Sequence, residues 1–64
     1  MKVCHNGEEI EVKDGISLSE FLMKFQYRRV LIKINGEKAS TADSKKIILA
    51  EGDDIVIKRI SVGG

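Results

Sequence analysis

The chain has no proline and no tryptophan, and only one cysteine and one histidine. Each shortage removes a class of protein. A single thiol, Cys4, cannot close an internal disulfide, and a secreted domain this small would need several. One cysteine and one histidine do not supply the ligand set of a structural zinc site. There is no excess of either charge, with 11 basic residues, 10 acidic residues and a formal net charge of +1. The electrostatic footprint of a nucleic-acid binder or of an anionic-membrane binder is therefore missing. No apolar run approaches the roughly 20 residues of a membrane span, and the first residues lack the apolar stretch of a signal peptide. These absences together predict a reduced, cytoplasmic protein.

What is present is one small domain. At 64 residues the chain buries only about 60% of the surface that its unfolded form exposes. A deep catalytic pocket does not fit easily in so small a core, which favours a carrier, a subunit or a binding module over an enzyme. A hydrophobic fraction of 42% and a charged fraction of 33% suit a folded domain rather than a disordered one.

Lys2-Val3-Cys4-His5 reads as a strand, and Asn6-Gly7 as a hairpin turn, because both central positions of such a turn need positive φ. Glu9-Ile10-Glu11-Val12 alternates polar and apolar, as a half-buried strand does. Asp14-Gly15 ends it. A helix is predicted over Ile16 to Phe25. Ser17 and Glu20 have capping-box spacing, and Ile16 and Phe21 have that of a hydrophobic staple. Leu18, Phe21, Leu22 and Phe25 then make one apolar stripe, read as core. No glycine marks the helix end near Gln26.

Val30 to Ile34 is a β-branched strand followed by a second Asn-Gly, Asn35-Gly36. Ser40 to Ser44 is polar and loop-like, and Ile47-Ile48-Leu49 is a short strand or a helical turn. Glu51-Gly52-Asp53-Asp54 is a turn into a last strand, Ile55 to Ile60. A hairpin, a helix and then further strands predict an α+β chain of the β-grasp type. It would have a mixed sheet of 4–5 strands, one main helix on one face, and parallel first and last strands. Residues 1–60 form the domain and residues 61–64, Ser61-Val62-Gly63-Gly64, a flexible tail.

Period-2 alternation divides the sheet into two faces. If the helix covers Val3, Ile55 and Ile57, the open face shows Lys2, Cys4, Val56, Lys58 and Ile60, joined by Leu31 and Lys33. This is either a docking face or the apolar surface that any small one-sided sheet exposes. Cys4 reads as a small hydrophobe, His5 as a strand-end residue without a triad partner, and Asp53-Asp54 as a turn rather than a metal site.

These residues resemble a known family, the ThiS/MoaD-type ubiquitin-like sulfur carriers. The resemblance rests on Asn6-Gly7-Glu8, on Ser17 with Glu20-Phe21-Leu22, on Asn35-Gly36-Glu37, on Glu51-Gly52-Asp53 and on the terminal Gly63-Gly64. It covers essentially the whole chain, in order. The short length favours the thiamine branch over the molybdopterin-synthase small subunit. The resemblance implies a carrier, not an enzyme, that binds no cofactor itself. A partner E1-like adenylyltransferase of the ThiF type would use ATP and magnesium to adenylate the carboxylate of Gly64. A sulfur donor such as a cysteine desulfurase would convert it to a thiocarboxylate, and a thiazole synthase of the ThiG type would take the sulfur. Gly63 would keep the channel free of side chains, Val62 and Ser61 would be spacer, and Val56, Lys58, Ile60, Cys4 and Leu31 would dock the partner. A ubiquitin-like modifier, with Gly64 joined to lysines, uses the same activated carboxylate and stays open as an alternative.

Overall fold

Two Asn-Gly pairs make two matching turns. Asn6 and Gly7 have φ of 51° and 84°, and Asn35 and Gly36 have φ of 53° and 84°, the paired positive values of a type I′ hairpin. The first turn joins β1 (Lys2–His5) to β2 (Glu8–Glu11). The second joins β3 (Val30–Ile34) to β4 (Glu37–Ala39). A computed structural model describes residues 1–60 of the chain, and within them β5 (Asp54–Arg59) completes a five-stranded sheet in the order β2-β1-β5-β3-β4. The last strand is thus central. It runs parallel to β1, with Cys4 opposite Asp54 and His5 opposite Ile55, as the sequence pattern predicts. It runs antiparallel to β3 from Val30–Arg59 to Ile34–Ile55.

Both turn asparagines also hold β5. Asn6 Oδ1 accepts the Ile57 N–H at 2.7 Å. On the other side Asn35 Oδ1 accepts the Asp54 N–H at 3.0 Å, and Asn35 Nδ2 donates to Asp53 Oδ1 at 3.0 Å. Side chains thereby replace ladder hydrogen bonds at the two places where the neighbouring strands turn away.

The α-helix α1 (Leu18–Lys24) is shorter at both ends than the sequence pattern suggests. Ser17 is its N-cap. Its hydroxyl accepts the Glu20 N–H at 3.1 Å, and Glu20 Oε1 accepts the Ser17 N–H at 3.3 Å, which satisfies two donors of the first turn. The helix stops without glycine because Gln26 takes the left-handed position, with φ of 57°. The Gln26 N–H then reaches Met23 O at 3.1 Å and the Tyr27 N–H reaches Leu22 O at 2.9 Å, a Schellman closure.

Leu18, Phe21 and Leu22 of α1 pack on Val3, Ile32, Ile55 and Ile57 of the sheet. Phe21 is 0% exposed. Phe25, the last residue of the predicted stripe, is only partly buried, since it already caps the helix.

Two local expectations are corrected. The fourth strand is Glu37–Ala39, not Ile47–Leu49; the latter segment makes one antiparallel bridge, Ile48 to Ser17. Strand propensity misleads here, because a Glu-Lys-Ala strand is set by the type I′ turn before it and not by its own residues. The polar stretch after Ala39 contains a 3-10 turn, Thr41–Asp43, capped by the Ser40 hydroxyl. Among the described residues no helix is long and apolar enough to cross a membrane.

Candidate functional site: the open sheet face and the end of the last strand

The helix covers one side of the sheet and leaves the other uncovered. Along β5, Ile55 and Ile57 are buried while Val56 is half-buried and Lys58 exposed. Along β3, Val30 and Ile32 are buried while Leu31 and Lys33 are exposed. Strand register then assembles the open face. Leu31 stands opposite Lys58, and Lys33 stands opposite Val56. Cys4, half-buried, stands between Glu9 on β2 and Asp54 on β5. Leu31 is 62% exposed and Ile60 47%, high values for large apolar side chains on so small a surface. The sheet therefore brings Val56, Lys58 and Leu31 together, with Cys4 on the far side of β5 and Ile60 just past its end.

The end of β5 is fixed by its neighbour. The Ile60 N–H donates to Arg29 O at 3.1 Å, one step beyond the Val30–Arg59 pair. The predicted tail residues Ser61, Val62, Gly63 and Gly64 lie outside the described residues.

The helix side of the same end carries a cluster that sequence reasoning missed. His5 closes β1, as expected of a strand-end residue, but its ring is not isolated. It lies 5.2 Å from Phe21 edge-on, 4.8 Å from Phe25 and 5.8 Å from Tyr27 between centroids. His5 Nε2 and the Tyr27 hydroxyl are 2.7 Å apart. The Arg59 guanidinium sits 5.6 Å from the Tyr27 ring centre, within cation–π range. Tyr27 thus spans from the end of β1 to the end of β5. Nothing in the local sequence signals this, because the contact depends on the Schellman closure that turns the chain back at Gln26.

Among the described residues, Cys4 and His5 do not form a nucleophile–base pair. Cys4 and His5 are neighbours in sequence on adjacent positions of one strand, so their side chains point to opposite faces. Asp53 is committed to the turn: its Oδ2 accepts the Ala50 N–H at 2.8 Å and its Oδ1 accepts from Asn35. Among the described residues no group of three or more His, Cys, Asp and Glu is placed to hold a metal ion.

No protein-family model and no curated protein sequence matches the chain. Solved structures do. The crystal structure of the thiamine biosynthesis protein ThiS from Geobacter metallireducens superposes with a TM-score of 0.85 at 20% identity, over 100% of both chains. The solution structure of a thiamine biosynthesis protein from the same organism gives 0.80 at 19% identity, over 100% of this chain and 88% of that one. The chain has the β-grasp fold of these proteins: a mixed five-stranded sheet with one helix across one face.

Proposed function

We propose that the chain is a sulfur carrier whose working group is the carboxylate of Gly64. The observation that carries this reading is the end-to-end match to ThiS structures, with Gly63-Gly64 following the central strand in sequence. The open face, with Val56, Lys58, Leu31, Cys4 and Ile60, serves as the docking surface for the enzymes that act on that carboxylate.

The chemistry follows from the reactivity of a carboxylate. As an anion it is a poor acyl donor. Its oxygen attacks the α-phosphorus of ATP in an E1-like adenylyltransferase, and pyrophosphate leaves. The resulting acyl adenylate has AMP as a good leaving group. The outer sulfur of a persulfide on a donor such as a cysteine desulfurase attacks the acyl carbon and AMP departs. A thiol then cleaves the acyl disulfide, leaving the thiocarboxylate on Gly64 and a disulfide on the donor side. A thioacid is a far stronger acid than a free thiol with pKa of about 8.5, so its sulfur is a ready nucleophile at neutral pH. Thiazole synthase is the proposed acceptor. The two glycines keep the end of the chain narrow, with no Cβ to obstruct a channel. ATP and magnesium belong to the partner; the carrier itself is acted upon.

Mass spectrometry of the protein isolated from its own host tests the reading. A species heavier by sulfur in place of one oxygen at Gly64 is expected when the activating enzyme and sulfur donor are co-produced. Branched conjugates joining Gly64 to lysines of other proteins, with no thiocarboxylate, would replace this reading by that of a protein modifier.

A further inference from the structure

The open face is divided by charge, and the division is held at a cost in stability. Lys33 on β3 and Lys38 on β4 are direct cross-strand partners, and both lie on the open face, since Ile32 between Leu31 and Lys33 is buried. The Asn35 N–H donates to Asp54 O at 2.8 Å, so the backbone polar groups of Asn35, and by alternation those of Lys33, point toward β5. Lys33 and Lys38 are therefore a non-hydrogen-bonded pair, the kind in which side chains come closest. Like charges directly opposite are destabilising. Lys58 adds a third ammonium on β5, opposite Leu31. Among the described residues no carboxylate lies within ion-pair distance of Lys33, Lys38 or Lys58.

The other half of the face has the opposite character. Glu9 and Glu11 stand across from Cys4 and Lys2, and Asp54 stands across from Cys4 on the other side. There the lysine is neutralised: Lys2 Nζ is 3.7 Å from Glu9 Oε1. One half of the sheet thus pairs its lysine and keeps an excess of carboxylates, and the other leaves three ammonium groups around exposed Leu31 and half-buried Val56.

We propose that this face takes a protein partner whose apolar centre is rimmed by carboxylates, seated over β5, β3 and β4; this narrows the docking face to Val56, Lys58, Leu31 and Ile60 and leaves Cys4, on β1, outside it. The apolar residues between the lysines favour a protein surface over a polyanion, and the neighbouring acidic half repels a nucleic acid or an anionic bilayer lying flat on the sheet. The proposal rests on the carrier reading for which enzyme the partner is, not for its chemistry.

Three measurements test it. Lys33→Glu places opposite charges across the β3–β4 pair, so its thermal midpoint should rise by about 2–5 °C while partner binding weakens. With the ThiF-type enzyme of the same genome, ATP–pyrophosphate exchange reports docking at limiting enzyme. The double variant Lys33→Glu/Lys38→Glu should need about tenfold more carrier for half-maximal exchange at low salt, and the deficit should shrink at about 0.5 M salt. Glu9→Lys should stay within about twofold of the parent. An unaffected double variant, or an equal loss with Glu9→Lys, overturns the proposal. If the parent is never activated, the carrier reading fails, and the third measurement decides alone. The 15N-labelled protein is titrated separately with a synthetic Glu/Leu amphipathic peptide, with phosphatidylserine vesicles and with duplex DNA. Peptide-induced shifts at Leu31, Lys33, Lys38 and Val56 support it. Shifts confined to β1 and β2, a response only to vesicles or DNA, or no response overturns it.

Discussion

The side-chain oxygen of Asn6 accepts the backbone N–H of Ile57 at 2.7 Å, joining the first turn of the chain to its last strand. This bond is what parallel pairing between β1 and β5 becomes once β1 has turned away at Gly7. Asn6→Gly keeps the positive φ that the turn needs and removes the acceptor, while the strain that glycine relieves is offset by its looser unfolded state. It should cost about 1 kcal/mol in denaturant unfolding and speed hydrogen exchange at the Ile57 amide. A variant as stable as the parent, with Ile57 equally protected, would show that the bond contributes nothing.

Gln26 holds a left-handed backbone conformation that glycine adopts without penalty. Gln26→Gly relieves a strain of about 1–2 kcal/mol and loses part of that through a looser unfolded state. The net expectation is a gain of about 0.5–1 kcal/mol. Chemical denaturation decides, and a lowered midpoint would mean that the glutamine side chain contributes more than its backbone costs.

Acid should weaken the helix entry. The Lys13 ammonium, 3.0 Å from Glu20 Oε2, and then the Ser17 backbone N–H hold the Glu20 carboxyl below its ordinary value of 4.5. Folding thus favours the ionised form. Its contribution is fully present above the unfolded value and is lost as pH falls through the lower folded one. Glu20→Gln should flatten the stability–pH curve below about pH 4.5 relative to the parent. An NMR titration of the Glu20 carboxyl with an unshifted midpoint would remove the basis for this expectation.

Under the carrier reading, deleting Gly64 should abolish acyl-adenylate formation and ATP–pyrophosphate exchange even though Gly63 then offers a carboxylate. The shortened end falls about 3.5 Å short, and reacting atoms must approach to about 3–3.5 Å. An added alanine after Gly64 should fail too, because the working carboxylate is then in a peptide bond. Cys4→Ser should load sulfur nearly as the parent does. Normal loading of the truncated chain, or a dead Cys4 variant, would reassign the chemistry.

Much of the fold is legible in the residues because its signals are local. The Asn6-Gly7 pair fixes the first hairpin, Ser17 with Glu20 fixes the helix entry, and alternation along β5 predicts that Ile55 and Ile57 face the helix. What escaped is what depends on distance. The Glu37–Ala39 strand has no apolar pattern of its own and exists because Ile32 and Ile34 offer an edge. The His5–Tyr27 contact requires a helix ending at a left-handed glutamine, which glycine-based stop signals do not reveal. The Lys33–Lys38 opposition needs register, and register appears only once the turn type and the strand ends are known.

The central place of β5 also constrains how the chain can be born. Without residues 54–59 the β1–β2 and β3–β4 hairpins share no backbone ladder, and a lone two-stranded hairpin is at best marginally stable in water. Of the five described strands, the one that unites them is the last to be made. A nascent chain on the ribosome therefore stays unassembled until Asp54–Arg59 has emerged, and then closes both halves in one event. Chains cut short before Asp54 should therefore lack a joined sheet and be readily cleaved by protease.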